Sequence, residues 1–134
     1  FGLKFTEVVP PYVWAEGVQL YMVEDAANGT PLGAFYLDMF PREGKFNHFA
    51  CFPQKAGGVL ADGRYDLPVV ALMCNFPAPS ADKPSLLTQT DVVTLFHEFG
   101  HVMHGVLDIV NQLTGYGTIQ CLELFSLHVI AHLK

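Results

Sequence analysis

Hydrophobic and polar positions first alternate along the chain and then recur every three or four residues, and this change of period divides it. Phe1–Glu16, with Pro10-Pro11, reads as an irregular lead-in with room for one short strand. Val18, Leu20 and Met22 alternate with Gln19, Tyr21 and Val23, which predicts a strand. Asn28-Gly29 follows; both residues tolerate positive φ, so the pair signals a hairpin, and Gly33–Phe40 reads as the returning strand. Pro41-Arg42-Glu43-Gly44 marks a turn. Lys45–Phe52 is predicted as a third strand. Pro53–Asp66, broken by Gly57-Gly58 and Asp62-Gly63, reads as a loop. Val69–Phe76, an apolar run between Pro68 and Pro77, has the pattern of a buried strand.

The period then lengthens. Val92, Leu95, Phe96, Phe99, Val102, Met103 and Val106 recur at spacings of three and four, the stripe of an amphipathic helix. Thr88-Gln89-Thr90-Asp91 supplies a capping box at its start. Gly105 weakens its end, so the helix is predicted to stop near there. Ile119–Leu133 has the composition of a second apolar helix. The expected fold class is α+β: a small, mostly antiparallel sheet, then a long helix, then a C-terminal helix.

Composition changes this picture in one respect. A chain of 134 residues suits one domain. Yet only 15% of its residues are charged, against about 25% in an average globular domain, and the mean hydropathy is +0.30. With Phe1 rather than Met at its start, the chain is expected to be part of something larger. A net charge of -6 argues against nucleic acid as a partner. The longest strictly apolar run, Val69–Cys74, is far short of the ~20 residues that cross a bilayer. Three separated cysteines, Cys51, Cys74 and Cys121, form no disulfide framework and suit a reducing compartment.

The chemistry lies in His97-Glu98-Phe99-Gly100-His101. Histidines four apart on a helix stand about 40° apart around the axis and about 6 Å along it, so both imidazoles can meet one zinc ion. Glu98, about 60° from His101 around the axis, flanks the same face as a base for a metal-activated water. With six His and six Glu in 134 residues, this pattern arises by chance with a probability of about 0.01. Zinc needs a third protein ligand, and after His101 the acids are Asp108 and Glu123. Asp108 stands about two turns further along the same helix, too far to close a tetrahedron. Glu123, beyond the Gly115–Gly117 turn, is the candidate. His104 shares the face of His101 and reads as packing. His48 reads as a hydrogen-bonded structural residue, and His128 and His132 lack an intervening carboxylate. Three readings remain open: a zinc peptidase, a truncated and inactive zinc-binding piece of one, or an inert packing module.

The chain resembles the thimet oligopeptidase and oligopeptidase A family of zinc metallopeptidases. Gly33–His48 is similar to the family's F-Y-L-D-x-x-P-R-x-G-K stretch. Asn75-Phe76-Pro77 and Pro84-Ser85-Leu86-Leu87-Thr88 are similar to its N-F and P-x-L-L segments, and Leu95–His104 to its metal helix. The likeness covers about Val18–Leu107. It implies a zincin-like catalytic core fragment: residues 1–87 strands and loops, 88–107 the metal helix, 108–134 a divergent tail. It further implies one Zn2+ on His97, His101 and Glu123, with Glu98 as base, and a short peptide as substrate. No nucleic acid or membrane partner is implied, the location is cytoplasmic or mitochondrial, and the rest of a longer chain is needed to complete the cleft. Leu122-Glu123-Leu124-Phe125-Ser126 is the nearest echo of the family's D-F-V-E-x-P-S-Q. Phe125 stands where Pro is expected and Leu127 where Gln is expected. The strand around Phe35–Phe40 is the expected wall of the cleft.

Overall fold

A computed structural model describes residues 2–114, with side chains through Leu107. Seven strands precede one helix: β1 (Leu3–Val8), β2 (Gln19–Asp25), β3 (Pro31–Asp38), β4 (Ala50–Lys55), β5 (Gly58–Val59), β6 (Tyr65–Asp66), β7 (Val69–Met73) and α1 (Gln89–Thr114). Five strands form one sheet in the order β1-β2-β3-β7-β4, and β5 and β6 form a separate hairpin. The fold is α+β, and the sheet is mixed. β1–β2, β2–β3 and β4–β7 pair antiparallel, whereas β3 and β7 run parallel, with Phe35 opposite Val70. The lead-in thus contributes a full edge strand, and the expected loop after Pro53 contains the β5–β6 hairpin. The apolar run Val69–Phe76 is buried as expected, with Ala71, Leu72 and Cys74 wholly enclosed.

One face of the sheet carries the core. Val23, Phe35, Val70, Leu72, Cys74 and Phe76 meet Val102, Met103 and Val106 of α1. The capping box forms as the sequence predicts. The Asp91 amide donates to Thr88 Oγ1 at 3.2 Å, and the Thr88 amide donates to Asp91 Oδ2 at 2.8 Å, satisfying donors that a helix start leaves open.

Two boundaries differ from the sequence expectation. The helix does not stop near Gly105 but continues to Thr114. Gly105 serves packing instead: a Cβ there would stand 2.8 Å from Val70 Cγ1. Gly33 in β3 does the same from the other side, since its Cβ would stand 2.9 Å from Val106 Cγ1. The two glycines let helix and sheet approach closely. The third strand begins at Ala50 rather than Lys45. Gly44, at φ 74°, turns the chain so that Lys45 points inward instead of joining a strand. The predicted helix over Ile119–Leu133 lies outside the described residues.

Inward-pointing Lys45 joins a buried ion cluster at the end of β3. Asp38, 3% exposed, accepts from Arg42 Nη1 and Nη2 at 2.7 and 2.9 Å, and from Trp14 Nε1 at 2.8 Å. Lys45 Nζ lies 2.8 Å from Asp38 Oδ1 and also donates to the carbonyls of Asp38, Phe40 and Cys74. One ammonium therefore ties the end of β3 to the end of β7. Asn75 Nδ2 then donates to the carbonyls of Phe46 and His48, each at 3.1 Å, which holds the segment leading into β4.

Candidate metal centre

Phe99 sets the rotation of α1. Its ring packs edge-on to Phe35 at 5.6 Å and lies 6.1 Å from Phe5, while Tyr21 stacks on Phe35 at 5.5 Å. With Phe99 held in this aromatic group and Val102 buried, Glu98 and His101, each one position before them, are turned off the core. Glu98 and His101 line an open cleft of about 470 Å³. The same cleft takes His104 and Gly105 from α1, Phe49, Ala50, Cys51 and Pro53 from β4 and its approach, and Val70 as floor.

His97 and His101 are both exposed, and their ring centres lie 5.0 Å apart with planes at 83°. Two imidazoles meeting one tetrahedral zinc at 2.0–2.1 Å hold their centres about 5.2 Å apart, close to this separation. Among the described residues no three His, Cys, Asp or Glu side chains gather to hold a metal. Glu123 lies outside the described residues. Asp108 falls on α1 seven positions past His101, and its side chain is not described.

The cleft wall opposite Glu98 is β4, not the Phe35–Phe40 strand. β3 is interior to the sheet, and Phe35, Leu37 and Met39 instead line an apolar groove of about 320 Å³ with Phe5, Phe96 and Phe99. β4 is the sheet edge, which explains how it accommodates Pro53: an edge position tolerates a missing N–H. His104 faces the cleft beside His101. His48 is exposed, with its ring against Phe46 at 5.4 Å, and its carbonyl is held by Asn75.

The sequence reading passed over Cys51 as a cleft residue. Burial, and then the nearby Glu98 charge, pushes its thiol up to about 11. Cys74 is pushed up to about 12, again first by burial. Without a metal both are neutral thiols near pH 7. Register alone was the missing signal: Cys51 sits opposite Leu72 on the face that meets α1.

No helix among the described residues is long and apolar enough to cross a membrane. The chain is 48% identical over 118 residues to the thimet-like oligopeptidase of Dictyostelium discoideum, a match covering 87% of this chain and 18% of the relative. It is 37% identical over 118 residues to saccharolysin of Saccharomyces cerevisiae, covering 84% and 16%. It is 42% identical over 95 residues to the human mitochondrial intermediate peptidase, covering 71% and 13%. The chain thus spans less than a fifth of the length of these relatives. The family model for peptidase family M3 matches residues 1–127, beyond both ends of the stretch that carries the motifs. On that match, the chain belongs to peptidase family M3.

Proposed function

We propose that this chain carries the catalytic helix and cleft wall of a zinc-dependent oligopeptidase that hydrolyses short peptides. One observation carries the reading: Glu98 and His101 share a cleft with an open sheet edge, and His97 stands beside His101 at metal-pair separation. His97 and His101, with Glu123 as third protein ligand, would hold the zinc ion, which would supply Lewis-acid polarisation and a water acidified toward neutral pH. Glu98, in the same cleft as His101, would take a water's proton on its carboxylate and return it to the leaving amine. The edge of β4, unpaired among the described residues, aligns an extended peptide through backbone hydrogen bonds, and Asn75 holds the segment leading into β4 by the Phe46 and His48 carbonyls. Family membership supports the peptidase activity; zinc, the roles of these residues and a cytoplasmic or mitochondrial location are the proposal.

The alternative is metal binding without turnover. The same experiment separates the two. Zinc stoichiometry by equilibrium dialysis should be one per chain and fall to none in His97→Ala or His101→Ala; unchanged zinc in either variant ends the metal-pair reading. Glu98→Gln should retain zinc and lose hydrolysis of a quenched peptide. Zinc binding with no hydrolysis by the parent chain selects the alternative.

A further inference from the structure

β4 offers two faces to a chain laid along its edge, because successive side chains of a strand point to opposite sides of the sheet. Phe49 and Cys51 pack against the core beneath α1 and line the cleft that holds Glu98 and His101. Phe52 follows Cys51 and so points to the opposite face. There it packs edge-on against Phe46, with ring centres 5.7 Å apart, and the His48 ring tilts against Phe46 at 5.4 Å. Phe46 and Phe52 remain 47% and 36% exposed.

Lone exposed apolar side chains are ordinary, whereas a contiguous patch marks a binding surface. This patch is also held in place. The Phe46 and His48 carbonyls both accept from Asn75 Nδ2 at 3.1 Å. Lys45, the residue before Phe46, is fixed by the Asp38 carboxylate and the Cys74 carbonyl. The rings therefore stand on a segment tied to the ends of β3 and β7, and little ordering is needed when another ring packs on them.

We propose that Phe52 and Phe46 form a specificity subsite for an aromatic side chain of the bound peptide, on the face of the sheet opposite the cleft. The proposal rests on the reading of β4 as the strand that aligns the peptide. A peptide extended along β4 alternates its side chains in the same way. Those beside Cys51 enter the cleft with Glu98 and His101, and those beside Phe52 meet the aromatic pair. An aromatic residue there packs edge-on or offset against Phe52, as aromatic cross-strand pairs do. One residue along the strand separates the two faces, so the patch is continuous with the cleft.

The test is fluorescence anisotropy with labelled short peptides of alanine and serine, one with a central Phe and one with Ala in its place. The full chain carries Glu98→Gln throughout, which removes the proposed base so that binding is read without hydrolysis, and circular dichroism checks the fold of each variant. The Phe peptide should bind more tightly than the Ala peptide by about three-fold or more. Phe52→Ala should abolish that ratio and leave the affinity for the Ala peptide unchanged, because backbone pairing to β4 remains. Phe46→Ala, at a more exposed position, should do the same and carries the test if Phe52→Ala misfolds. Phe96→Ala, in the apolar groove on the helix side of the sheet, should leave the ratio intact. Equal binding of the two peptides overturns the proposal, as does a ratio that survives Phe52→Ala or falls with Phe96→Ala instead. Binding of neither peptide is a different failure, since it removes β4 as the peptide strand and the proposal with it.

Discussion

Asp38 is buried yet ionised, because Arg42, Lys45 and Trp14 all aim donors at its carboxylate. Burial alone would push its pKa up; the hydrogen bonds from Arg42, Lys45 and Trp14 outweigh it and hold the group at about 2 against an ordinary 3.8. The folded-state pKa lies below the unfolded one, so the stabilisation is complete above the ordinary carboxylate range. It is lost as pH falls from about 4 to 2. Acid titration followed by tryptophan fluorescence should therefore show unfolding of the parent in that window. Asp38→Asn should cost about 3–5 kcal/mol in urea unfolding, because it leaves the Lys45 ammonium buried beside a neutral amide. A loss under 1 kcal/mol would mean that Lys45 finds its carbonyl partners sufficient. Asp38, Arg42 and Lys45 were visible in the sequence as a motif, but their task was not. The contacts that define it, to Trp14 and to the Cys74 carbonyl, come from 24 and 29 residues away. His97, Glu98 and His101 were legible for the opposite reason, since an i, i+4 pair on a helix is a local geometry.

At the scale of elements, α1 and its seat on the sheet decide where Glu98 and His101 point. The start of α1 was legible because a capping box is local. Its end was misread because Gly105 was weighed by helix propensity alone, while its contact with Val70 depends on a strand some 35 residues away in sequence. Gly105→Ala tests which effect wins. Alanine improves helix propensity by about 1 kcal/mol, but its Cβ would meet Val70 Cγ1 at 2.8 Å. Overpacking of this kind costs about 1–3 kcal/mol, so the variant should lose about 1 kcal/mol net in urea unfolding. Measured against a Val70→Ala background, where the clashing methyl is gone, Gly105→Ala should cost nothing further, whatever Val70→Ala itself costs in core volume. A more stable single variant would show that Val70 turns aside and that α1 has room to spare.

At the scale of the whole molecule, the alternating segments were legible as strands, and their order in the sheet was not. The parallel pairing of β3 with β7 joins residues 35 positions apart, and the pairing of β4 with β7 joins residues 14–23 apart, which no local pattern records. The low charged fraction was the one global signal, and the surface accounts for it. Phe5 and Phe96, 43% and 38% exposed, border the apolar groove on the helix side of the sheet. Phe46 and Phe52, 47% and 36% exposed, pack edge-on at 5.7 Å beside β4. Among the described residues β1 and β4 also present unpaired strand edges, which recruit other chains. Apolar surface on two sides, with few charges to repel a second copy, favours association. The average mass from light scattering should therefore rise across a concentration series of the parent chain. Phe96→Lys together with Phe46→Glu should lower it by placing charge in both patches while leaving the buried core untouched. A parent that stays monomeric at every concentration and unfolds in one cooperative step would show that these surfaces need no cover, and that the chain is a self-sufficient unit despite its composition.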